Sequence, residues 1–345
     1  MKPIKRNVAA MPRLNKKGCQ SGMDGMELAL KLENMENLYL PKEELKNTAG
    51  NTIVSMECVG GIVKAYVNAV HGVRSDNVQP YGCWGILNEV RLGIVEFRVT
   101  EFMREYLQKH LKERYSDEMI QNMAVKALEV NVTIPCVGGA TPSDVIALID
   151  LALDKTTVFR KRKSQGKCEK VNTGCLFSRP KEYRVKVYDK TEDQRQKGNP
   201  LVPENLLRIE IVFIDRALRR MFGDKRSLLD MLSLEAIEIM CREYKRVLEF
   251  DIINGSVKPC LDYCVSQLVE SLVSAETGHE ISATVARYKE LIPDIQILRK
   301  ALKRWYRIRG EEDKSKQAIN YYRQKKIGLP EGVLKTLRAF HDAAG

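Results

Sequence analysis

The chain has 345 residues, a length that suggests two domains of about 150 residues each. It is 44% hydrophobic, enough for a packed core, which excludes a disordered chain. Lys and Arg number 57 against 45 Asp and Glu; the net charge of +12 favours a polyanionic partner such as nucleic acid, although a merely basic soluble protein has the same balance.

The first 17 residues are basic, and no apolar run of signal or membrane-spanning length follows them, so a flexible arm and a cytoplasmic protein are expected. The nine cysteines have irregular spacings and no Cys-x-x-Cys pair, which argues for buried thiols in a reducing compartment rather than a zinc site. Asn51 to Val70 reads as two strands around Gly60-Gly61, a good two-residue turn. Gly93 to Val99 has the composition of a strand. Glu101 to Tyr115 has helical spacing, with Phe102, Met103, Tyr106 and Leu107 on one side.

Ala127 to Ile134 alternates Leu128, Val130, Val132 and Ile134 with Glu129, Asn131 and Thr133, the period of a half-buried strand. Thr141-Pro142-Ser143-Asp144 opens a helix that runs to about Lys155. Phe159 to Lys170 reads as a loop carrying Arg160, Lys161, Arg162, Lys163, Lys167 and Lys170. Such a run is often only solvated, and in a DNA-binding chain it grips phosphates. Tyr183 to Tyr188 is a strand, a polar loop follows from Thr191 to Asn205, and Leu206 to Phe213 is another strand.

Beyond Asp215 the pattern is helical. One helix is capped by Asp215 and stops at Gly223; others cover Ser227 to Glu249 and Lys258 to Ala275. Two or three more lie between Thr284 and Ala344, broken near Gly310 and Gly328. Residues 287–326 hold thirteen Lys or Arg and five Asp or Glu. There Ile297, Leu298, Ala301, Leu302 and Trp305 form an apolar stripe rimmed by Arg299, Lys300, Lys303, Arg304 and Arg307. The segments 295–309 and 330–341 suit a helix-turn-helix-like unit.

The predicted fold is α+β: an antiparallel sheet with helices packed on one face, followed by an all-helical C-terminal domain. The expected divisions are 1–48 (basic arm and first elements), 49–225 (α+β domain) and 226–345 (helical domain).

Side chains alternate across a strand, so three strands each offer one polar face. Those faces carry Glu129, Asn131 and Thr133; Arg184, Lys186, Tyr188 and Lys190; and Arg208 and Glu210. Placed side by side, they would join an acid pair, a tyrosine and several cations. That set suits phosphodiester chemistry: a phenol with an ordinary pKa near 10 needs nearby positive charge or a metal to act as a nucleophile. Alternation alone assigns no chemistry, because tyrosine is common in strands.

The segments ALEVNVTIPCVGGATPSDVIALI (127–149), EYRVKVYDKTEDQ (182–194) and NLLRIEIVFIDRALRRMFG (205–223) with RSLLDML resemble, in order and spacing, the gene II replication initiators of filamentous phages. A similar Tyr-x-Lys followed by Arg-x-Glu occurs in rolling-circle plasmid initiators of Gram-positive bacteria. The resemblance implies a nicking enzyme in which Tyr188 attacks DNA and becomes joined to a 5′ phosphate. Lys190 would assist at the phosphate, and Glu210 would hold Mg²⁺ or Mn²⁺. Asn131 stands where the family has Asp, so either Glu129 substitutes as a ligand or metal binding is weak or lost.

Arg160, Lys161, Arg162, Lys163, Arg184, Lys186 and Arg208, with Lys300, Lys303 and Arg304, are the expected DNA contacts. The implied partners are double-stranded origin DNA, single-stranded DNA, and a host helicase and polymerase in a bacterial cytoplasm, with no membrane; a homodimer is compatible. No Gly-rich phosphate loop ending in Lys-Ser/Thr is present, which leaves unwinding to the host. The competing expectation is a non-catalytic, sequence-specific DNA-binding regulator built on the same sheet.

Overall fold

In a computed structural model, residues 20–48, 50–73, 89–111, 117–121, 123–154, 160–161, 174–198, 202–324 and 329–343 are described. In chain order they form β1 (Gln20–Lys31), β2 (Tyr39–Lys46), β3 (Thr52–Val59), β4 (Ile62–Val67), α1 (Ala69–Val73), α2 (Glu89–Leu111) and α3 (Asp117–Gln121). Next come β5 (Ala124–Pro135), α4 (Pro142–Asp154), β6 (Arg160–Lys161), β7 (Gly174–Arg179), β8 (Tyr183–Asp189), α5 (Lys190–Gln196) and β9 (Leu206–Ile214). The remainder is helical: α6 (Asp215–Phe222), α7 (Leu228–Met231), α8 (Leu234–Arg246), α9 (Lys258–Leu272), α10 (Gly278–Arg287), α11 (Ile295–Ile308), α12 (Glu312–Gln324) and α13 (Val333–Ala343).

The strands make one antiparallel sheet in the order β2-β3-β4-β1-β5-β9-β8-β7-β6. The predicted turn at Gly60-Gly61 joins β3 to β4, and both glycines have positive φ. The first described strand, β1, lies inside the sheet, between β4 and β5. Bulges at Asp24 and Lys126 interrupt its ladder with β5. The second bulge lets Val125 and Leu128, three residues apart, both face the core.

Helices α4, α8 and α13 lie over β5, β8 and β7, while α1 and α2 lie over β1 and β3. All of them share one hydrophobic core with the sheet. Along β9, Leu207, Ile209, Ile211 and Phe213 are fully buried on this side, each contributing about 1.5–3 kcal/mol of transfer free energy. The α+β architecture is thus as expected, with the C-terminal helices packed directly on the sheet.

Several local expectations are corrected. Gly93 to Val99 belongs to α2: Leu92, Val95, Val99, Met103 and Tyr106 are all buried at three- and four-residue intervals, so the helical period overrides the β-branched composition. The supposed loop after Tyr188 contains α5, capped by Asp189, whose carboxylate accepts from Glu192 N at 3.0 Å. Asp215 lies in the first turn of α6, with Ile214 as the cap residue, while Gly223 ends the helix as expected.

Ser227 to Glu249 is not one helix. It divides at Ser233, which caps α8, and α8 continues through an eleven-residue π-helical segment, Val247–Val257, into α9. Arg160 and Lys161 form a two-residue edge strand on β7 rather than a loop. The basic arm at 1–17 and Arg162, Lys163, Lys167 and Lys170 lie outside the described residues.

Candidate active site

Pairing between β5, β9 and β8 fixes which polar residues meet. Asn131 is opposite Glu210, and Glu210 is opposite Lys186; one pleat along, Thr133 is opposite Arg208, and Arg208 is opposite Tyr188. Glu129 and Arg184 flank this set through Val212. All project from the side of the sheet away from Val185, Val187, Ile209 and Ile211, whose side carries the helices. The sequence-predicted polar faces therefore do form one surface.

Glu210 is its centre, with only 5% of the residue exposed. Its Oε1 accepts the hydroxyl of Tyr188 and lies 3.7 Å from Arg208 Nη1. Its Oε2 accepts from Lys186 Nζ at 3.1 Å, and the same ammonium stands 3.3 Å from Glu129 Oε2. Arg208 is steadied by its Nε, which donates to Thr133 Oγ1 at 2.7 Å. Burial alone would raise the Glu210 pKa; Lys186 and Arg208 outweigh it and hold the carboxyl below its usual range. Burial likewise works against the Lys186 ammonium, but Glu210 and Glu129 prevail and its pKa is raised.

Tyr188 is half-buried, and burial pushes its phenol well above its ordinary range; Arg208 opposes that shift and Glu210 adds to it. The hydroxyl is therefore protonated at neutral pH and gives its hydrogen bond to Glu210. Lys190 is not on the strand as expected: it starts α5, where Nζ donates to Asp193 Oδ2 at 2.7 Å and lies 5.6 Å from the centre of the Tyr188 ring. Burial and then Arg208 lower its pKa to about 8 despite Asp193. Asp193 itself, buried but held by Lys190 and Lys197, sits at about 2. Its part was not read from the sequence; the Lys190-x-x-Asp193 spacing, one helical turn, was the available signal.

Two donors on this face have no partner among the described residues: Asn131 Nδ2 and Arg184 Nε, both buried. The face continues across β1, β4 and β3 as a groove of about 530 Å³ whose polar lining mixes Lys42, Lys64 and Lys126 with Glu27 and Glu57, beside Tyr66. Tyr66 lies over Gly25, where a Cβ would come within 2.3 Å of its hydroxyl oxygen, so any larger residue there would displace the ring. Gly25 pairs with Glu129, which places the groove beside the carboxylates.

The other expected DNA contacts are elsewhere or only partly described. Arg160 and Lys161 are at the sheet edge, in β6. Lys300, Lys303 and Arg304 are exposed on α11, which packs on α9 and α12, behind the helices that cover the opposite side of the sheet. The structure does not bring them to Tyr188. His71, in α1, donates from Nδ1 to Thr52 O at 2.9 Å, away from this cluster. No described helix is long and apolar enough to cross a membrane.

No family model and no curated protein matches the chain. Among solved structures, it is similar to a rolling circle replication initiator protein from Geobacillus stearothermophilus, with 10% identity and a TM-score of 0.32 over 67% of this chain and 84% of that one.

Proposed function

We propose that this protein initiates rolling-circle DNA replication by nicking one strand at an origin through tyrosine transesterification. The observation that carries the reading is the Tyr188 hydroxyl donating to a buried Glu210 carboxylate among Lys186, Arg208 and Lys190. A phenol of raised pKa is a poor nucleophile alone, and a carboxylate that takes its proton during attack removes that difficulty.

In this reading the Tyr188 oxygen attacks the phosphorus. The Tyr O–P bond forms while the P–O3′ bond breaks, and the phenol proton passes to Glu210. Lys190, with a pKa near 8, donates a proton to the departing 3′ oxygen. Lys186 and Arg208 stabilise the charge on the phosphoryl oxygens. The product is a 5′-phosphotyrosine, which the free 3′ hydroxyl of the displaced strand reverses to rejoin it. Flanking nucleotides of the single strand lie in the groove, where Tyr66 offers a ring for stacking and Lys64 and Lys126 offer phosphate contacts. The α11 rim holds duplex origin DNA, and host helicase and polymerase complete the replication round.

The test is incubation with supercoiled plasmids carrying DNA that flanks the chain's own coding sequence. A nicked circle and a covalent protein–DNA adduct are expected, both absent for Tyr188→Phe, while band shifts persist. The second reading, a DNA-binding regulator, is favoured by the raised phenol pKa and by Asn131 in place of an acid. It predicts the band shift alone.

A further inference from the structure

Glu129, Asn131 and Glu210 were the expected ligands of a divalent ion, so their donors decide whether one fits. Both carboxylates are already engaged by a cation: Lys186 Nζ stands 3.1 Å from Glu210 Oε2 and 3.3 Å from Glu129 Oε2. The remaining Glu210 oxygen takes the Tyr188 hydroxyl. The ammonium thus fills the point between two carboxylates that a hard cation requires.

The third position argues the same way. Asn131 brings no charge, and its unpartnered buried atom is the amide nitrogen, a donor. Arg184 Nε, on the same face, is a second buried donor with no partner. Orphan donors call for an acceptor, which a metal ion does not supply and a phosphate oxygen does. Among the described residues no third Asp, Glu, His or Cys joins the two glutamates. A doubly charged ion would also stand within a few ångströms of Lys186 and Arg208. The donor set does not fit a metal ion while Lys186 is in place.

We infer that Lys186 substitutes for the divalent cation, and that this site receives a phosphate oxygen directly on Lys186, Arg208 and the Asn131 amide. The inference rests on the strand-transfer reading for its substrate, but it makes a separate demand on metal binding.

The full chain, as wild type, Glu210→Gln, Lys186→Met, Lys186→Gln and Lys186→Met/Glu210→Gln, is titrated with Mn²⁺ and bound ion is read by electron paramagnetic resonance. Wild type is expected to show no Glu210-dependent site. The two Lys186 single variants, whose folding is checked by circular dichroism, are expected to bind Mn²⁺ at least about 100-fold more tightly, because a unit charge beside the carboxylates has gone. The double variant loses that gain. In parallel, wild-type adduct formation on the supercoiled plasmid is expected to persist in EDTA within a few-fold. Stoichiometric Mn²⁺ on wild type that Glu210→Gln removes overturns the inference, as does a folded neutral variant that gains no site. Adduct formation abolished by EDTA also overturns it, yet leaves the strand-transfer reading standing. Absence of any adduct with metal present defeats the strand-transfer reading instead.

Discussion

Two tyrosines five residues apart on β8 face opposite sides of the sheet and meet different surroundings. On the helix side, Tyr183 donates to Asp251 Oδ2 at 2.8 Å, from a carboxylate that the π-helical segment carries and that Arg179 also reaches at 3.3 Å. On the other side, Tyr188 donates to Glu210. Both phenols are raised by burial. The helix side is closed: Tyr183 is fully buried, in a sheet-to-helix seam. The Tyr188 side is partly open, since the Lys186 side chain is 45% exposed, and it holds orphan donors. Hydrogen bonding to a carboxylate is thus common to both tyrosines; it is access that sets the Tyr188 side apart.

The sharpest way to break this contrast is exchange of each hydroxyl. Tyr188→Phe is expected to lower adduct formation by at least about 10⁴-fold, the scale of losing a nucleophile. Tyr183→Phe should leave it within about three-fold while lowering stability by about 1–3 kcal/mol, the scale of losing one buried hydrogen bond to a charged group. Nicking assays and denaturant titrations read the two effects, and adduct loss in the Tyr183 variant would erase the distinction.

Glu210→Gln comes next. It removes the proton acceptor and leaves Lys186 and Arg208 without their shared anion. Nicking should fall about 10²–10⁴-fold and stability by about 3 kcal/mol. A variant nicking at the wild-type rate would remove Glu210 from the chemistry.

The Lys190–Asp193 pair sharpens the comparison through pH. With Lys190 at about 8, the nicking rate should decline as pH rises through that value, and Lys190→Arg should move the decline upward. Because the pKa is lowered, burying the charged lysine costs stability below about 8, and that cost is relieved from there to 10.5. Asp193 has the opposite sense: its stabilisation is complete above 3.8 and is lost as pH falls towards 2. Thermal midpoints of Asp193→Asn should therefore lie below wild type at neutral pH and converge with it in acid.

The smallest expected effect is at α11. Lys300→Ala with Lys303→Ala should weaken duplex binding uniformly across sequences and reduce its salt slope by about 2, without altering adduct formation on a single-stranded substrate.

The site's strands were legible because Leu128–Ile134, Tyr183–Tyr188 and Leu206–Phe213 alternate cleanly, which put Glu129, Asn131, Lys186, Tyr188, Arg208 and Glu210 on one face. The remainder was hidden for identifiable reasons. In β1 and β5 the bulges at Asp24 and Lys126 shift the two-residue period partway along the strands. The helix α5 is almost wholly polar, so no apolar stripe betrays it, and Asp193 was lost with it. Ile94, Val95 and Val99 mimic a strand inside α2. A π-helical register has no two- or three-residue signature, so Asp251 was not seen as the partner of Tyr183. Side-chain reach across strands, which puts Lys186 between two glutamates, is set by pairing order and not by spacing along the chain.

The interior position of β1 has a consequence for biosynthesis. It emerges from the ribosome before either strand that flanks it, and β5 follows after about 100 more residues, some 5–20 s at ordinary translation speeds. Through that interval an edge of β1 is open to any other extended chain. Nascent polypeptides stalled short of residue 135 should thus recruit chaperones or self-associate, and release of the next stretch should end that exposure as Glu129 and Gly25 come into register.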